Sequence, residues 1–314
     1  MENDKRFEEA VSSLSKRISA RLLGLDTGTK RAVREVRIRS GRPIQLRTAA
    51  NSLFCDLSGR LGASAAGLDG IEQTELAESL RTLCGFSVQT HQHELRQGFV
   101  TVKGGHRAGI CASAVDSAVG IREVTSISLR IAREIKGCAD ELALIFSSTA
   151  GGLIVAGPPG SGKTTMIREL ARKISSGETG RHFTVTLIDE RGELAAVQGG
   201  MPQSDVGVCC DVLDGYTKGE GMLMAVRTLS PEVVICDEIG GDAETEAVVA
   251  ALNAGVRIVA TAHAGSIEEL EMRPQMKKLI ASGAFETAVL LAGAPEAGRI
   301  RRIAALKGSA VMRR

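Results

Sequence analysis

Residues 157–165 read Gly-Pro-Pro-Gly-Ser-Gly-Lys-Thr-Thr and lie between two segments whose apolar residues are spaced differently. The continuous apolar run at 153–156 predicts a buried β-strand, and the apolar positions of 164–174 recur at helical spacing. The stretch therefore satisfies G-x-x-x-x-G-K-[ST] in the strand–loop–helix setting that this pattern requires. Glycines allow the backbone N–H groups of such a loop to surround phosphate oxygens at a helix N-terminus. A nucleotide phosphate site is expected here.

The side chains of this P-loop predict how a nucleotide is held. Lys163 would place its ammonium on the β- and γ-phosphates, and the Thr164 hydroxyl would ligate Mg²⁺. ATP and Mg²⁺ are therefore the expected small molecules. The predicted phosphate-binding set is Gly157, Pro158, Pro159, Gly160, Ser161, Gly162, Lys163, Thr164 and Thr165.

A second apolar run, at 233–236, ends in the paired carboxylates Asp237 and Glu238. A buried strand would place Asp237 at its carboxyl end beside the P-loop, where the side chain can hold the Mg²⁺ shell. Glu238 would then polarise the attacking water. Buried strands often end in acids, but downstream of a P-loop this pattern predicts a Walker B element. We expect Thr164 and Asp237 at the metal and Glu238 as the catalytic carboxylate.

Two further segments follow predicted strands. Residues 188–194 (IDERGEL) place three acids after the strand that follows the P-loop, and residues 260–264 (ATAHA) place His263 at the end of the strand after the carboxylate pair. A single histidine in a strand is commonly structural. At the carboxyl end of a core strand, His263 could instead sense the γ-phosphate or orient Glu238. The sequence leaves both roles open.

The order of elements predicts an α/β fold for the second part of the chain. Apolar strand runs alternate with helical segments, which is typical of a mostly parallel sheet covered on both faces. We predict a RecA-like P-loop NTPase domain at 138–314. Its expected strands are 153–156, 184–188, 233–236, 257–261 and 288–291, and its expected helices are 138–147, 164–174, 219–229 and 243–252.

The sequence pattern of residues 1–137 predicts a smaller α+β domain. Apolar and charged residues alternate along 33–39, which indicates a half-buried strand, and a Gly-Arg-Pro turn follows it. The predicted elements are a helix at 7–23 closed by Gly24, strands at 33–39, 44–47 and 128–132, a loop at 59–70, and a boundary near Gly137.

Charge is distributed unevenly along the 314 residues. The formal net charge is +2, whereas residues 1–47 hold twelve basic and six acidic side chains, a net charge of +6. Such a stretch can bind nucleic acid, an anionic membrane surface or an acidic partner, or form a solvated face. Aromatic residues make up 3% of the chain, which argues against base-stacking platforms for single-stranded nucleic acid.

The seven cysteines are scattered without a C-x-x-C pair, so the sequence predicts neither a zinc site nor a disulfide framework. Free thiols and a charged N-terminus without a signal peptide fit a cytoplasmic protein. The uncharged run 142–162 is interrupted by glycines and prolines. We expect a helix end, a turn and a strand there rather than a membrane span.

The second part of the chain resembles the secretion ATPases of type II, type IV and pilus-retraction systems. IDERGEL is similar to their aspartate box, ATAHA to their histidine box, and residues 222–241 (MLMAVRTLSPEVVICDEIGG) to their arginine-containing helix and Walker B strand. The whole chain resembles more closely the stage III sporulation AA family of endospore-forming bacteria. The segments REVRIRSGRPIQL, GFVTVKGGHRAGICASAV and SISLRIAREI carry this closer match.

The resemblance implies an ATPase motor in the mother-cell cytoplasm that energises the channel complex between mother cell and forespore. It also implies a homo-oligomer, with a hexamer as the expected assembly. The expected partners are the other stage III sporulation A-operon proteins at the membrane, and membrane association would run through them. The N-terminal domain would serve docking or assembly.

Two positions depart from the secretion pattern. Asp237 stands where that group usually has glycine, and Gly240 stands where it has an arginine. The second departure removes the usual place of an inter-subunit arginine. Arg227 is then the first candidate for an arginine that acts in trans on the neighbouring site, and Arg191 is the second.

A rival function is a nucleic-acid-dependent ATPase that binds single-stranded DNA or RNA through the basic N-terminal domain. The +6 stretch favours this function. The loop Gly104-Gly105-His106-Arg107 also loosely resembles the glycine loop of small RNA-binding domains. The scarcity of aromatic residues argues against it, so the motor is the expected function and nucleic acid the less expected partner.

Overall fold

In the computed structural model the described residues are 2–114 and 121–306, and the chain separates into two compact units, Met1–Arg133 and Glu134–Arg314. The sequence predicts the change of pattern near Gly137, a few residues beyond this division. Val115, the last residue of one quoted N-terminal segment, and residues 307–314 of the predicted ATPase domain lie outside the described ranges. Each unit contains its own hydrophobic core.

The first unit combines an antiparallel sheet with a helical layer. Its helices are α1 (Glu2–Val11), α2 (Lys16–Leu23), α3 (Thr27–Ala32), α4 (Gln73–Leu83) and α5 (Gln92–Arg96). Its strands are β1 (Glu35–Arg39), β2 (Ile44–Arg47), β3 (Ser52–Cys55), β4 (Leu61–Gly62), β5 (Phe99–Val102), β6 (His106–Ala114) and β7 (Ile121–Arg130). The described strands pair antiparallel in the order β4-β3-β2-β1-β7-β6-β5.

Alternation along β1 separates the core from the outer face of this sheet. Val36 and Ile38 are buried, whereas Arg37 and Arg39 are half-buried on the opposite face, as a period of two requires. The inward residues share one core with Phe7 of α1 and with side chains of α2 and α4. Full burial of such a side chain contributes roughly 1.5–3 kcal/mol, so this shared core holds the helices on the sheet.

The continuous helix predicted at 7–23 is wrong, because α1 and α2 are separate helices. The hydroxyls of Ser12 and Ser13 donate to backbone carbonyls in the last turns of α1 at 2.7 and 2.5 Å. Ser15 then caps α2 by accepting from the Ile18 N–H at 3.4 Å. Serine side chains compete for helical backbone groups in this way, so this cluster ends one helix and begins the next.

The second unit contains the P-loop and another sheet of seven described strands. Its strands are β8 (Leu153–Gly157), β9 (Val185–Asp189), β10 (Cys210–Asp214), β11 (Val233–Cys236), β12 (Arg257–His263), β13 (Thr287–Leu291) and β14 (Ile300–Ala305). Its helices are α6 (Asp140–Ser148), α7 (Lys163–Ser175), α8 (Lys218–Thr228), α9 (Asp242–Asn253), α10 (Ile267–Met272) and α11 (Pro274–Ala281). The strand order is β10-β9-β11-β12-β8-β13-β14, with parallel neighbours except for the antiparallel pair β13–β14.

The two edge strands of this sheet, β10 and β14, were not among the predicted strands. Every residue of β8, β9 and β11 is buried, and their continuous apolar sequences predict them readily. β10 reads CDVLD and β14 reads IRRIAA, with half-buried and exposed positions throughout. Charged residues are common on edge strands because one side has no partner strand. Periodicity alone could therefore not distinguish these two strands from loops.

The uncharged run 142–162 forms the end of α6, a turn and β8, as predicted. Arg257 anchors the turn by donating to the backbone carbonyls of Phe146 and Gly151 at 2.8 and 2.6 Å. None of the helices in the described part of the chain is long and apolar enough to cross a membrane.

Parallel pairing brings the carboxyl ends of the central strands to one edge of the sheet. In the register of the sheet, His263 of β12 lies beside Gly157 of β8, and Cys236 of β11 lies beside Ile188 of β9. The P-loop, the carboxylate pair and the two segments 188–194 and 260–264 therefore all extend from the same edge.

Candidate nucleotide-binding site

The P-loop makes a sharp turn between β8 and α7. Gly160 and Gly162 have φ angles of +74° and +90°, a region that side chains strongly disfavour. The N–H of Gly298, in the connection between β13 and β14, donates to the Ser161 carbonyl at 2.8 Å. A Cβ on Gly162 would lie 3.3 Å from the same nitrogen. The connection between β13 and β14 therefore holds the P-loop in place, in addition to the turn conformation of the P-loop itself.

Lys163 begins α7 and carries a buried ammonium. Its Nζ donates to the backbone carbonyls of Gly157 and Pro158 at 2.9 and 3.0 Å. Desolvation lowers the pKa of Lys163, while the carboxylates of Asp237 and Glu238 act in the opposite direction. Charge-assisted hydrogen bonds to anionic oxygens are stronger than those to carbonyls. The ammonium is therefore suited to exchange its carbonyl partners for phosphate oxygens.

Asp237 is held by hydrogen bonds from three donors. The Thr164 hydroxyl donates to Asp237 Oδ2 at 2.8 Å, and the Thr261 hydroxyl donates to Asp237 Oδ1 at 2.5 Å. The Glu238 N–H lies 3.0 Å from Oδ1 and 2.9 Å from the Thr261 hydroxyl oxygen. A hydroxyl and a carboxylate are the oxygen ligands that Mg²⁺ prefers, and waters commonly complete its shell. Thr164 and Asp237 fit this role.

His263 links the P-loop cation to the second carboxylate. Its Nδ1 lies 3.0 Å from Lys163 Nζ, and its Nε2 lies 3.3 Å from Glu238 Oε2. An ammonium can only donate, so Nδ1 accepts and the ring proton is on Nε2, facing Glu238. The structure thus joins Lys163, His263 and Glu238 in one chain of polar contacts.

Two observations fit a phosphate group in the P-loop. Ser161 Oγ is buried and has no hydrogen-bond partner among the residues that the structure describes, although buried polar atoms normally have one. A Cβ on Gly157 would lie 2.5 Å from this oxygen, so the strand end must stay free of a side chain. Thr165, in the first turn of α7, is half-buried. These positions leave space and donors for anionic oxygens.

Asp189, the first acid of the 188–194 segment, is buried and organises the loop that follows it. Its Oδ1 accepts from the N–H groups of Glu193 and Leu194 at 2.8 and 3.1 Å. Its Oδ2 accepts from those of Ala195 and Ala196 at 2.8 and 3.0 Å. With all its acceptor directions in use, Asp189 holds the loop and is not free to ligate a metal.

A cavity of about 300 Å³ lies beside the carboxylate pair. Glu190, Arg191 and Glu193 line it from the acidic segment, and Asp237 and Glu238 line it from the end of β11. The structure therefore brings Arg191, the second candidate arginine, to the same cavity as the predicted catalytic carboxylate.

The structure does not bring Arg227 to this edge of the sheet. Arg227 is exposed in the last turn of α8, whereas Lys218 at the start of α8 lines the cavity. At 1.5 Å per residue, the two Cα atoms are separated by about 14 Å along the helix axis. Because α8 leads directly into β11, its last turn lies at the amino edge, away from Glu238 of the same chain.

Three residues of the site were not singled out from the sequence. Thr261 lies two residues before His263, and that spacing, which places both on one face of β12, could have identified it. Lys218 and Glu244 line the cavity and contact each other across α8 and α9. No pattern in the sequence predicts this contact, because it arises only from the packing of the two helices.

The fold is similar to that of solved ATPases, among them a pilus retraction motor. The X-ray structure of the Legionella pneumophila ATPase DotB superposes with a TM-score of 0.53 at 14% identity, covering 91% of this chain and 74% of that chain. The crystal structure of the pilus retraction motor PilT with bound ADP superposes with a TM-score of 0.53 at 16% identity, covering 87% and 78%. At these identities the likeness defines the fold class alone.

The chain belongs to the family described as sporulation stage III, protein AA, whose model matches residues 4–311. The stage III sporulation protein AA of Bacillus subtilis (strain 168) is 35% identical over 286 residues, which cover 90% of this chain and 89% of that protein. The family resemblance predicted from the sequence is confirmed.

A more distant relative shares only part of the chain. Protein SEEDLING PLASTID DEVELOPMENT 1 of Arabidopsis thaliana is 32% identical over 170 residues, which cover 54% of this chain and 24% of that protein.

The role of Asp189 predicts a local effect of its substitution. In Asp189→Asn an NH₂ group replaces one acceptor oxygen, so two of the four backbone N–H groups lose their partner. We expect the free energy of unfolding to fall by about 1–3 kcal/mol and the amides of 193–196 to exchange faster with deuterium. Denaturant unfolding and hydrogen exchange measure both effects. Asp211→Asn, at an exposed position of β10, should change neither, and equal exchange in the two variants would contradict the role of Asp189.

Proposed function

We propose that the protein is a Mg²⁺-dependent ATPase whose hydrolysis site is formed by Lys163, Thr164, Asp237, Glu238 and His263. One observation carries this proposal. Five side chains from the P-loop, the segment after β11 and the end of β12 converge in two contact groups: Thr164 bonds Asp237, and His263 contacts both Lys163 and Glu238. Bound Mg²⁺ would neutralise charge that develops on the phosphate oxygens.

Each side chain has a task that follows from its contacts. Lys163 would exchange the carbonyls of Gly157 and Pro158 for phosphate oxygens, and Thr164 and Asp237 would hold the metal shell. Glu238 would orient the attacking water and accept its proton. His263 contacts both Lys163 and Glu238, so a shift of the ammonium towards phosphate would change the hydrogen bonding of the catalytic carboxylate.

We assign the ATPase to residues 138–314 and a docking or assembly role to residues 1–137. Membership of the family and the motor-ATPase fold support a secretion-type motor that energises the mother-cell-to-forespore channel during endospore formation. Such a motor would act in the mother-cell cytoplasm as a homo-oligomer, with a hexamer as the proposed assembly. The other stage III sporulation A-operon proteins are its proposed partners, and it would reach the membrane through them.

The outer face of the N-terminal sheet supports a docking role. Strand register places Arg47, Glu35, Arg130 and Arg107 in one row across four strands, with Arg37 and Arg39 further along β1. This arginine face therefore carries five guanidinium groups and one carboxylate. Arg37 and Arg47 pair with Glu35 at 2.6 and 3.1 Å. Arg130 is exposed and Arg39 is half-buried on this face, and guanidinium groups in such positions fit the carboxylates of an acidic partner.

The rival nucleic-acid function receives less support from the same unit. Several of the basic side chains of residues 1–47 are engaged in ion pairs within this unit, which leaves fewer of them for phosphate groups. Ion pairs join Lys30 to Glu8 at 2.6 Å, Arg31 to Asp4 at 3.3 Å and Arg17 to Glu75 at 3.0 Å. Phe99, an aromatic residue near the arginine face, is buried beneath Arg107, so it is not available for base stacking.

Two substitutions in the proposed hydrolysis site should affect different steps, one nucleotide binding and the other hydrolysis. Lys163→Ala should abolish nucleotide binding, because the phosphate-facing cation is lost. Glu238→Gln should bind ATP normally and hydrolyse it at least about a hundredfold more slowly, because the carboxylate acts in the transition state. Nucleotide-binding titrations and steady-state kinetics measure these effects. Glu246→Gln, an exposed position on α9, is the matched control. Hydrolysis by Glu238→Gln at the wild-type rate would remove Glu238 from the mechanism.

The two candidate arginines predict different results in mixed assemblies. If Arg227 acts in trans, mixing Arg227→Ala subunits with Glu238→Gln subunits restores activity at interfaces that pair two intact halves. Mixing Arg191→Ala with Glu238→Gln subunits should restore none, because Arg191 lines the cavity of its own Glu238. The measurement is ATPase rate against mixing ratio. A fully active monomer at low concentration would defeat the trans arrangement.

Substitutions on the arginine face distinguish the motor function from the rival nucleic-acid-dependent ATPase. The double variant Arg39→Gln/Arg130→Gln should lose docking to the cytosolic part of a membrane partner or lose assembly. Lys16→Gln/Arg81→Gln removes equal charge from exposed helix positions of the same unit and should retain both. Single-stranded DNA or RNA should leave every ATPase rate unchanged. A salt-sensitive stimulation by nucleic acid, abolished only in the Arg39/Arg130 variant, would favour the rival function.

A further inference from the structure

A lysine of intermediate burial lies between two carboxylates at the edge of the cavity. Lys218 begins α8 with its side chain 11% exposed, after Thr217, whose hydroxyl oxygen caps the helix. Its Nζ lies 2.7 Å from Glu190 Oε2 and 3.5 Å from Glu244 Oε1. These two acids belong to different elements, because Glu190 follows β9 and Glu244 lies in the first turn of α9. Lys218 thus connects three parts of the chain through one charge.

The second oxygen of Glu244 holds the backbone that follows the catalytic carboxylate. Glu244 Oε2 accepts from the N–H groups of Gly240 and Gly241 at 2.7 and 2.9 Å. Burial opposes ionisation of Glu244, but these two N–H groups and Lys218 outweigh it and lower its pKa. Glycines have no side chains to pack and a wide conformational range. The position of 240–241 therefore depends on its hydrogen bonds to Glu244.

The segment 237–241 is also held from its other side. The Ile239 N–H donates to the Thr261 carbonyl of β12 at 3.0 Å, and the Glu238 N–H contacts the Thr261 hydroxyl. Glu238 consequently lies between a contact to β12 and a contact to Glu244. Loss of either contact would release one end of the segment.

We propose that Lys218 is a positioning residue for Glu238, because it joins Glu244 to Glu190 and so fixes the segment 237–241 against the acidic segment after β9. This inference rests on the proposed ATPase function. Lys218 does not act on phosphate, since its ammonium is already engaged by two carboxylates. Without it, Glu190 and Glu244 would face each other as like charges in a partly buried place, which is strongly unfavourable.

The chain offers a matched control for this lysine. Lys173, in the last turn of α7, is 13% exposed and also joins two carboxylates, Asp140 at 2.7 Å and Glu178 at 2.9 Å. Neither of these carboxylates, its ion-pair partners in the described part of the chain, belongs to the candidate site. Lys173→Met therefore removes the same kind of buried ion pair from the same unit, and any general loss of stability should appear in both variants.

The experiment compares Lys218→Met, Lys218→Arg and Lys173→Met in the full-length protein. For Lys218→Met we expect kcat to fall at least about tenfold while the Kd for Mg·ATP changes by less than about threefold, because transition-state positioning is lost and phosphate binding is not. Lys218→Arg should recover most of kcat, since the charge is retained. Lys173→Met should keep the wild-type kcat at a similar loss of Tm.

Hydrogen exchange gives a readout that does not depend on hydrolysis. The amides of Gly240 and Gly241 should exchange faster in Lys218→Met and at the wild-type rate in Lys173→Met. Equal kcat and equal exchange in the two methionine variants would overturn the inference. If the wild-type protein did not hydrolyse ATP, the proposed function would fail, and the exchange comparison would still decide whether Lys218 fixes Gly240 and Gly241.

Discussion

The buried ammonium of Lys163 is the charge around which the nucleotide site is arranged. A cation in this position requires nearby acceptors, and the fold supplies two carbonyls of its own loop and the Nδ1 atom of His263. Because His263 also faces Glu238, the residue that would bind phosphate is connected to the residue that would activate water. Phosphate binding and the activation of water would therefore depend on one chain of polar contacts.

The parallel sheet makes this arrangement possible. Side chains from the P-loop and from the ends of β11 and β12 converge because parallel strands end at the same edge. The neighbouring strand β9 adds Asp189 and Glu190, which organise a loop and contact Lys218. The candidate site therefore has two layers. Lys163, Thr164 and Asp237 form the layer proposed to bind phosphate and metal, and Lys218 and Glu244 lie behind Glu238.

The N-terminal unit carries an arginine-rich face on the outer side of its sheet. Its sheet buries one face under helices and leaves a face that carries five arginines, two of which pair with Glu35. The pKa of Glu35 is lowered because its bonds to Ser128, Arg37 and Arg47 outweigh the effect of burial. A carboxylate held by arginines on this face is an internal example of the contact that an acidic partner would make. The candidate nucleotide site and the arginine face thus lie in separate units.

The sequence by itself determined the P-loop, the Walker B carboxylates, the central strands and the family, because each of these depends on residues that are close together along the chain. It failed at the division between α1 and α2, where serine side chains outcompete the helical pattern, and at the edge strands β10 and β14, whose polar residues resemble a loop. Only the tertiary structure decided that His263 lies between Lys163 and Glu238, that Asp189 holds a loop, and that Arg227 lies far from Glu238 of its own chain. These facts depend on strand register and helix packing, which bring together residues that are distant in the sequence. No pattern in the sequence links such residues to one another.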